Sequence, residues 1–189
     1  MNETKPTILS RRILYEGWNR LHEVVVSGRT GEHKREIVDH GDAASILPYD
    51  PERRTCLLVR QLRAPLLVRG GGDDGWLLEA CAGIIDPGET PQEAALREAR
   101  EELGLALSAA EPVASVYAAP GCLKELSHLF LAPYRPADRA GEGGGNHHEG
   151  EEIEVIELCL HELYAMVGEA RIADAKTLIL VQTLMLRGI

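Results

Sequence analysis

Three glutamates, Glu98, Glu101 and Glu102, stand at i, i+3 and i+4, the spacing that puts side chains side by side on one helical face. Carboxylates so placed repel one another and weaken an isolated helix, so their clustering asks for a cation. A hard ion that prefers oxygen suits such a set, Mg²⁺ first and Mn²⁺ as the alternative. The competing reading is a solvated acidic face, eased by Arg97 four residues before Glu101. On the three glutamates alone, that second reading is the stronger.

The helix that carries them has clear ends. Thr90-Pro91-Gln92-Glu93 is a start signal, because Thr90 caps, Pro91 suits the first turn and Glu93 completes a capping box. That duty explains Glu93 without a catalytic role, and Gly104 is the C-terminal stop. Leu96, Ala99 and Leu103 recur at helical spacing and are expected to face the core. Upstream, Arg12 to Tyr49 alternates apolar and polar residues and predicts a small antiparallel sheet, broken at Ser27-Gly28-Arg29-Thr30-Gly31. After turn chemistry at Asp50 to Arg54, Thr55 to Leu62 and Trp76 to Ile85 read as strands around the glycine-rich Gly70 to Gly75. Downstream, Val113 to Tyr117, Ser127 to Ala132 and Ile153 to Leu158 read as strands, and His161 to Val167 and Ala173 to Leu186 as helices. The expected class is mixed α/β. A long segment rich in glycine and acidic residues, Arg135 to Glu152, is the length at which a loop is functional or disordered.

Composition narrows the function. With 189 residues, 44% of them apolar, the chain is long enough for one well-filled core. A formal charge of −10 disfavours binding to nucleic acid or to an anionic membrane. Cys56, Cys81, Cys122 and Cys159 are widely spaced and predict buried, reduced thiols. The N-terminus lacks the apolar stretch of a signal peptide, and no apolar run is long enough to span a bilayer, so a cytoplasmic protein is expected.

The stretch Gly83-Ile84-Ile85-Asp86-Pro87-Gly88-Glu89-Thr90-Pro91-Gln92-Glu93-Ala94-Ala95-Leu96-Arg97-Glu98-Ala99-Arg100-Glu101-Glu102-Leu103-Gly104-Leu105 resembles the complete signature of the Nudix hydrolases. Gly83, Glu89, Arg97, Glu98, Glu101, Glu102 and Gly104 stand at the family's spacing, and a chance match of this length is negligible. The match turns the reading of the glutamates toward metal. The resemblance implies a Nudix fold, a mixed β-sheet between α-helices. It also implies hydrolysis of a diphosphate, with Glu98 and Glu102 as direct metal ligands, Glu101 sharing the metal site, Arg97 orienting a carboxylate and the Ala82 carbonyl completing the coordination.

From about Arg12 to Thr183 the chain resembles the ADP-ribose and GDP-mannose pyrophosphatase branch, most of all the GDP-mannose enzymes. His33-Lys34-Arg35-Glu36, Val59-Arg60-Gln61-Leu62-Arg63, Cys81-Ala82-Gly83, Pro120 to Glu125, Gly143-Gly144-Gly145, Glu151 to Val155 and Ala175-Lys176-Thr177 carry the likeness. It implies a homodimer, with an N-terminal β-region at 1–42 that pairs the subunits and contacts substrate across the dimer, and a hydrolase domain at 43–189. The implied substrate contacts are Trp18, Lys34, Arg35, Glu36, Arg63, Ala82, Gly83, Ile84, Glu125 and Lys176.

Several of these have their own physical case. Arg63 follows a strand and can fork onto phosphate. Lys34 and Arg35 are adjacent in a strand, so they point to opposite sides. Trp18, where the family often has tyrosine, stacks on a base or simply packs. Lys176 near the start of the last helix opposes the helix dipole, which hints at an anionic neighbour. The attacking water needs a base; Glu151 matches the branch's loop carboxylate, as base, metal ligand or both, with Glu152 as the substitute. His147 and His148 in the same loop read as solvated. The expected reaction is hydrolysis of GDP-mannose to GMP and mannose 1-phosphate. ADP-ribose, giving AMP and ribose 5-phosphate, is the alternative substrate, kept open by Pro120. A Nudix fold that senses a nucleotide sugar without cleaving it is the alternative from another class.

Overall fold

The computed structural model describes residues 5–70, 72, 74–145 and 152–189. Their contacts divide into two compact units, one of residues up to Asp42 with Tyr117–Leu126, the other of Ala43–Val116 with Ser127–Ile189.

In the first unit β1 (Thr7–Glu16), β2 (Arg20–Gly28) and β3 (Gly31–Asp39) form an antiparallel meander. The expected break between β2 and β3 is a two-residue turn in which Gly28 pairs with Gly31, and Gly31 takes a positive φ of 103°, which glycine adopts without the strain of a side chain. Tyr117–Leu126 joins this sheet at β3. The Val38 N–H donates to the Cys122 carbonyl at 2.8 Å, the Lys124 N–H donates to the Val38 carbonyl at 3.0 Å, and the Lys124 ammonium grips both Asp39 oxygens at 2.9 Å. Strand β1 is exposed along its whole length, apolar residues included.

The second unit contains β4 (Ala43–Asp50), β5 (Thr55–Leu62), α1 (Ala64–Arg69), β6 (Trp76–Glu79), β7 (Cys81–Ile84), α2 (Pro91–Leu103), β8 (Glu111–Val116), β9 (Ser127–Pro133), β10 (Ile153–Cys159), α3 (Leu160–Gly168) and α4 (Ala175–Leu186), with a 3₁₀ turn at Pro136–Asp138. Its mixed sheet runs β10-β5-β4-β9-β8, with β6 on β5 and β7 on β4. Strands β4 and β9 are parallel and the other pairs antiparallel. Alternate residues feed two cores. Ile46, Leu57, Val59, Phe130 and Ala132 pack with Ala94, Ala95, Ala99 and Leu103 of α2. Leu47, Cys56, Leu58, Leu129 and Leu131 pack with Leu160, Leu163, Leu180, Val181 and Leu184 of α3 and α4. A sheet between helices is the mixed α/β arrangement expected.

Several sequence readings change. Ala43 to Tyr49 does not extend the N-terminal sheet; it is β4, at the middle of the larger one. Its run Ala43-Ala44-Ser45-Ile46-Leu47-Pro48 is buried throughout, the pattern of a strand covered on both faces rather than one. Trp76 to Ile85 is two strands. Between β4 and β5 the register covers only Tyr49–Cys56 and Asp50–Thr55, so the two strands splay, and β6 and β7 each pair with one of them. Helix α1 was not expected. Cys56 and Cys81 are buried, and burial pushes the Cys56 thiol up to about 12. Cys122 and Cys159, by contrast, are exposed, one in a turn and the other capping α3 through a bond that its Sγ accepts from the Glu162 N–H at 3.4 Å. No helix among the described residues is long and apolar enough to cross a membrane.

Candidate active site

Helix α2 begins as its sequence dictates. Thr90 Oγ1 accepts from the Glu93 N–H at 3.3 Å, and Glu93 Oε2 accepts from the Thr90 N–H at 2.7 Å, which closes the capping box and occupies Glu93. At the other end Gly104 is left-handed, with φ 67°. The last turn's carbonyls go to the glycine loop: Gly144 N–H donates to Glu102 O at 2.8 Å and Gly145 N–H to Glu101 O at 3.2 Å. A Cβ at Gly143 would collide with the Glu102 carbonyl, so the loop approaches this closely only because it is glycine. Glu151, His147 and His148 lie outside the described residues. Glu152, the substitute base, is exposed just before β10.

Arg97 is the hub of the acidic face. Its Nε and Nη2 fork onto Glu89 at 2.8 and 3.1 Å. Nη1 reaches Glu98 at 2.7 Å and Glu101 at 3.1 Å, and Nη2 also donates to the Ile84 carbonyl at 3.0 Å. The hydrogen bonds from Arg97 hold the Glu89 carboxyl below its ordinary range, and the same carboxylates raise the guanidinium's own pKa. One cation thus orients three carboxylates; Glu89, which sequence reading left without a role, is the one it holds bidentately.

Glu98 and Glu102 meet β7. A Cβ on Gly83 would fall on the Glu98 carboxylate, so glycine here is a matter of space. Glu102 does not belong to a solvated stripe: it is 2% exposed, accepting from the Gln61 amide at 3.0 Å and from the Ala82 N–H at 3.1 Å. In an antiparallel strand the N–H and C=O of one residue point to the same side, so the Ala82 carbonyl also faces the Glu102 side. Gln61 escaped sequence reading. Its signal was a polar residue in phase with Val59, two residues before it on the core face of β5. Because the displaced Glu98 carboxylate is the far end of a flexible side chain, Gly83→Ala is expected to leave Tm within a few degrees and to lower kcat/KM about tenfold or more. Steady-state kinetics with wild-type values would show that the position of Glu98 is immaterial.

Arg63 and Lys176 come together around Glu79, a buried carboxylate absent from the sequence reading. Arg63 Nε and Nη2 bond Glu79 at 2.6 and 3.1 Å, and Lys176 Nζ lies 3.5 Å from Glu79 and 2.7 Å from Asp174. The anionic neighbour that Lys176 hinted at is therefore this carboxylate pair. Burial opposes ionisation of Asp174, but the Lys176 charge and bonds from Lys176 and Thr177 outweigh it and hold the carboxyl low. The stretch from Glu79 to Ile84 is the common wall of the site: Glu79 takes the cations, Ala80 bonds Thr177, Ala82 bonds Glu102, Gly83 makes room for Glu98 and Ile84 receives Arg97.

The remaining expected contacts lie in the other unit. Trp18 is 77% exposed and stacks on His40, with centroids 5.4 Å apart and planes at 21°. His40 Nε2 is 3.4 Å from Glu125, so Trp18, His40 and Glu125 form one group. On β3, Lys34 lies 3.6 Å from Glu23, Arg35 turns back onto the Lys34 carbonyl at 2.7 Å, and Glu36 stands opposite Glu23 in register.

Among the described residues no three His, Cys, Asp or Glu side chains converge tightly enough to grip an ion as they stand, since Arg97 draws Glu98 and Glu101 onto itself. The donor set is nonetheless oxygen throughout and sits on one helical turn beside a strand edge, which is the chemistry a hard divalent ion takes.

The family model for the NUDIX domain matches residues 39–180. A protein of Cronobacter sakazakii named GDP-mannose pyrophosphatase is 42% identical over 96% of each chain. A protein of that name from Pectobacterium atrosepticum is 39% identical over 96% of this chain and 94% of its own. One from Salmonella paratyphi B is 39% identical over 94% of each. Among solved structures, that of an ADP compounds hydrolase superposes with a TM-score of 0.74 over 100% of this chain and 97% of its own, at 21% identity, a likeness of fold.

Proposed function

The chain belongs to the NUDIX domain family, and we propose that it is a metal-dependent pyrophosphatase hydrolysing GDP-mannose to GMP and mannose 1-phosphate. The observation that carries the reading is that Glu102, Glu98 and Arg97 meet Ala82, Gly83 and Ile84 of one strand while Arg97 also bonds Glu98 and Glu101. The substrate is supported by relatives of that name along nearly the whole chain.

Glu98, Glu101, Glu102 and the Ala82 carbonyl would hold Mg²⁺, or Mn²⁺ in its place. The ion, when bound, neutralises diphosphate charge and makes phosphorus more open to attack by water. Arg97 orients the ligand carboxylates, the Gln61 amide and Ala82 N–H fix Glu102, and Arg63 and Lys176 direct N–H donors at the phosphates. Glu151 takes the proton from the attacking water and serves as base, metal ligand or both, with Glu152 as its substitute. Water adds to one phosphorus, the bridging P–O bond breaks, and the departing phosphate carries the electron pair. In Glu151→Gln, kcat is expected to fall far more than substrate affinity; an unchanged kcat moves the role to Glu152.

Trp18 stacks on the base, Lys34, Arg35, Glu36 and Glu125 complete the nucleoside and sugar contacts, and Gly83 and Ile84 line the diphosphate. Two copies pair through the N-terminal β-region, 1–42, and bring Trp18 and its neighbours to the partner's site. Ile8, Leu9, Ile13, Leu14 and Tyr15, exposed on β1, support that interface. The test is kcat/KM with Mg²⁺ for GDP-mannose, ADP-ribose, UDP-glucose and a dinucleoside polyphosphate, with a metal-free control. Preference for ADP-ribose keeps the mechanism and reassigns the base; metal-dependent binding without hydrolysis makes the protein a sensor.

A further inference from the structure

We propose that Glu79, seconded by Asp174, is a positioning residue that fixes Arg63 and Lys176 as a two-cation cradle for the substrate's phosphates, an inference that rests on the pyrophosphatase reading.

Carboxylates are seldom fully buried, and burial is costly for an ion that is not paired and hydrogen-bonded. Glu79 is 2% exposed and shared by two cations. The Nε–Nη2 edge of Arg63 is spent on it, which sets the guanidinium plane and leaves the Nη1 end on the far side. The Arg63 side chain remains 39% exposed, so it is not sealed from a ligand.

Lys176 is fixed from the other side. Asp174 caps α4, accepting from the Thr177 N–H at 2.8 Å and the Thr177 hydroxyl at 2.7 Å, and takes Lys176 at 2.7 Å. The Thr177 hydroxyl in turn accepts from the N–H of Ala80, the residue after Glu79, at 2.6 Å. The start of α4 is thereby fastened to the strand that carries Glu79, and two cations that repel one another are held by one carboxylate.

A buried ion pair is by itself a weak source of stability, and a pair that served stability alone would have little use for a partner left open to solvent. Glu79 and Asp174 also balance Arg63 and Lys176 charge for charge. The cradle therefore attracts phosphate through aimed donors, with no net positive charge. This makes the sign of one substitution decisive. If net charge governed binding, Glu79→Gln would tighten the grip on a diphosphate; if alignment governs, it loosens it, because Arg63 regains its rotamer freedom and Lys176 is held by Asp174 alone.

The experiment uses the full chain and GDP as a probe that lacks the sugar. Calorimetry gives its Kd for wild type, Glu79→Gln, Asp174→Asn, Arg63→Ala and the Glu79→Gln/Arg63→Ala double variant, beside Tm and steady-state kinetics. In folded Glu79→Gln, GDP binding is expected to weaken about tenfold and KM to rise similarly. We expect kcat and the Mg²⁺ half-saturation to stay within about threefold, since no metal ligand changes. Asp174→Asn shifts the same way by less, and on the Arg63→Ala background Glu79→Gln costs less than it does in wild type, the remainder being the share of Lys176. Tighter or unchanged binding in folded Glu79→Gln, or full additivity with Arg63→Ala, overturns the proposal. Should Glu79→Gln fail to fold, Asp174→Asn decides by the same criterion. A wild type that binds GDP but cleaves no nucleoside-diphosphate sugar defeats the substrate reading, while the GDP series still decides the cradle.

Discussion

Glu102→Gln is expected to lower kcat/KM by about 10³-fold or more, the loss of roughly 4 kcal/mol of transition-state stabilisation. The structure also bounds its effect on the fold. Glu102 is buried and accepts one bond from Gln61 and one from Ala82. Glutamine has the same shape and keeps one acceptor, and the Gln61 amide can reverse to meet the new donor, so the cost is about 1 kcal/mol. In a chain of this length that is about 2–4 °C in Tm. A folded variant of full activity would remove Glu102 from the metal site. A variant that loses activity only because it has unfolded would show that burial, and not ligation, explains the residue.

Arg97→Ala is expected to have the second largest effect, about 10²-fold in kcat/KM together with a fall of about 4–8 °C in Tm. Arg97 makes five bonds to Glu89, Glu98, Glu101 and the Ile84 carbonyl, and its side chain is 27% exposed, enough to screen part of the charge. Removing it takes from three carboxylates the cation they share, which we place at about 2 kcal/mol, within the range for charge-assisted bonds. If the loss is electrostatic, Mg²⁺ should restore part of the missing Tm in calorimetry, because it brings positive charge to the same oxygens. No recovery at saturating Mg²⁺ would mean that packing of the arginine stem, not its charge, had been lost. Arg97→Lys should recover charge without the fork and fall between the two.

The parts of this protein legible from the amino-acid order are those written between near neighbours in the chain. The capping box of Thr90 and Glu93, the left-handed Gly104, the acidic turn and the core stripe of α2 depend on spacings of a few residues, and the structure has each of them. The family signature was legible for the same reason, since its glutamates, arginine and glycines lie on one continuous strand-turn-helix. Partnerships across the sheet were not. That Glu102 is buried, that Gln61 and Ala82 hold it, and that Gly83 is small for the sake of Glu98 all depend on β5 and β7 lying beside α2. Glu79 reads in the chain as an ordinary strand glutamate. Only when β6 pairs with β5 and the start of α4 bonds to Ala80 does it stand between Arg63 and Lys176. Periodicity states which face of an element is apolar; the identity of the residue facing a given side chain is set by register and packing between segments far apart in the chain.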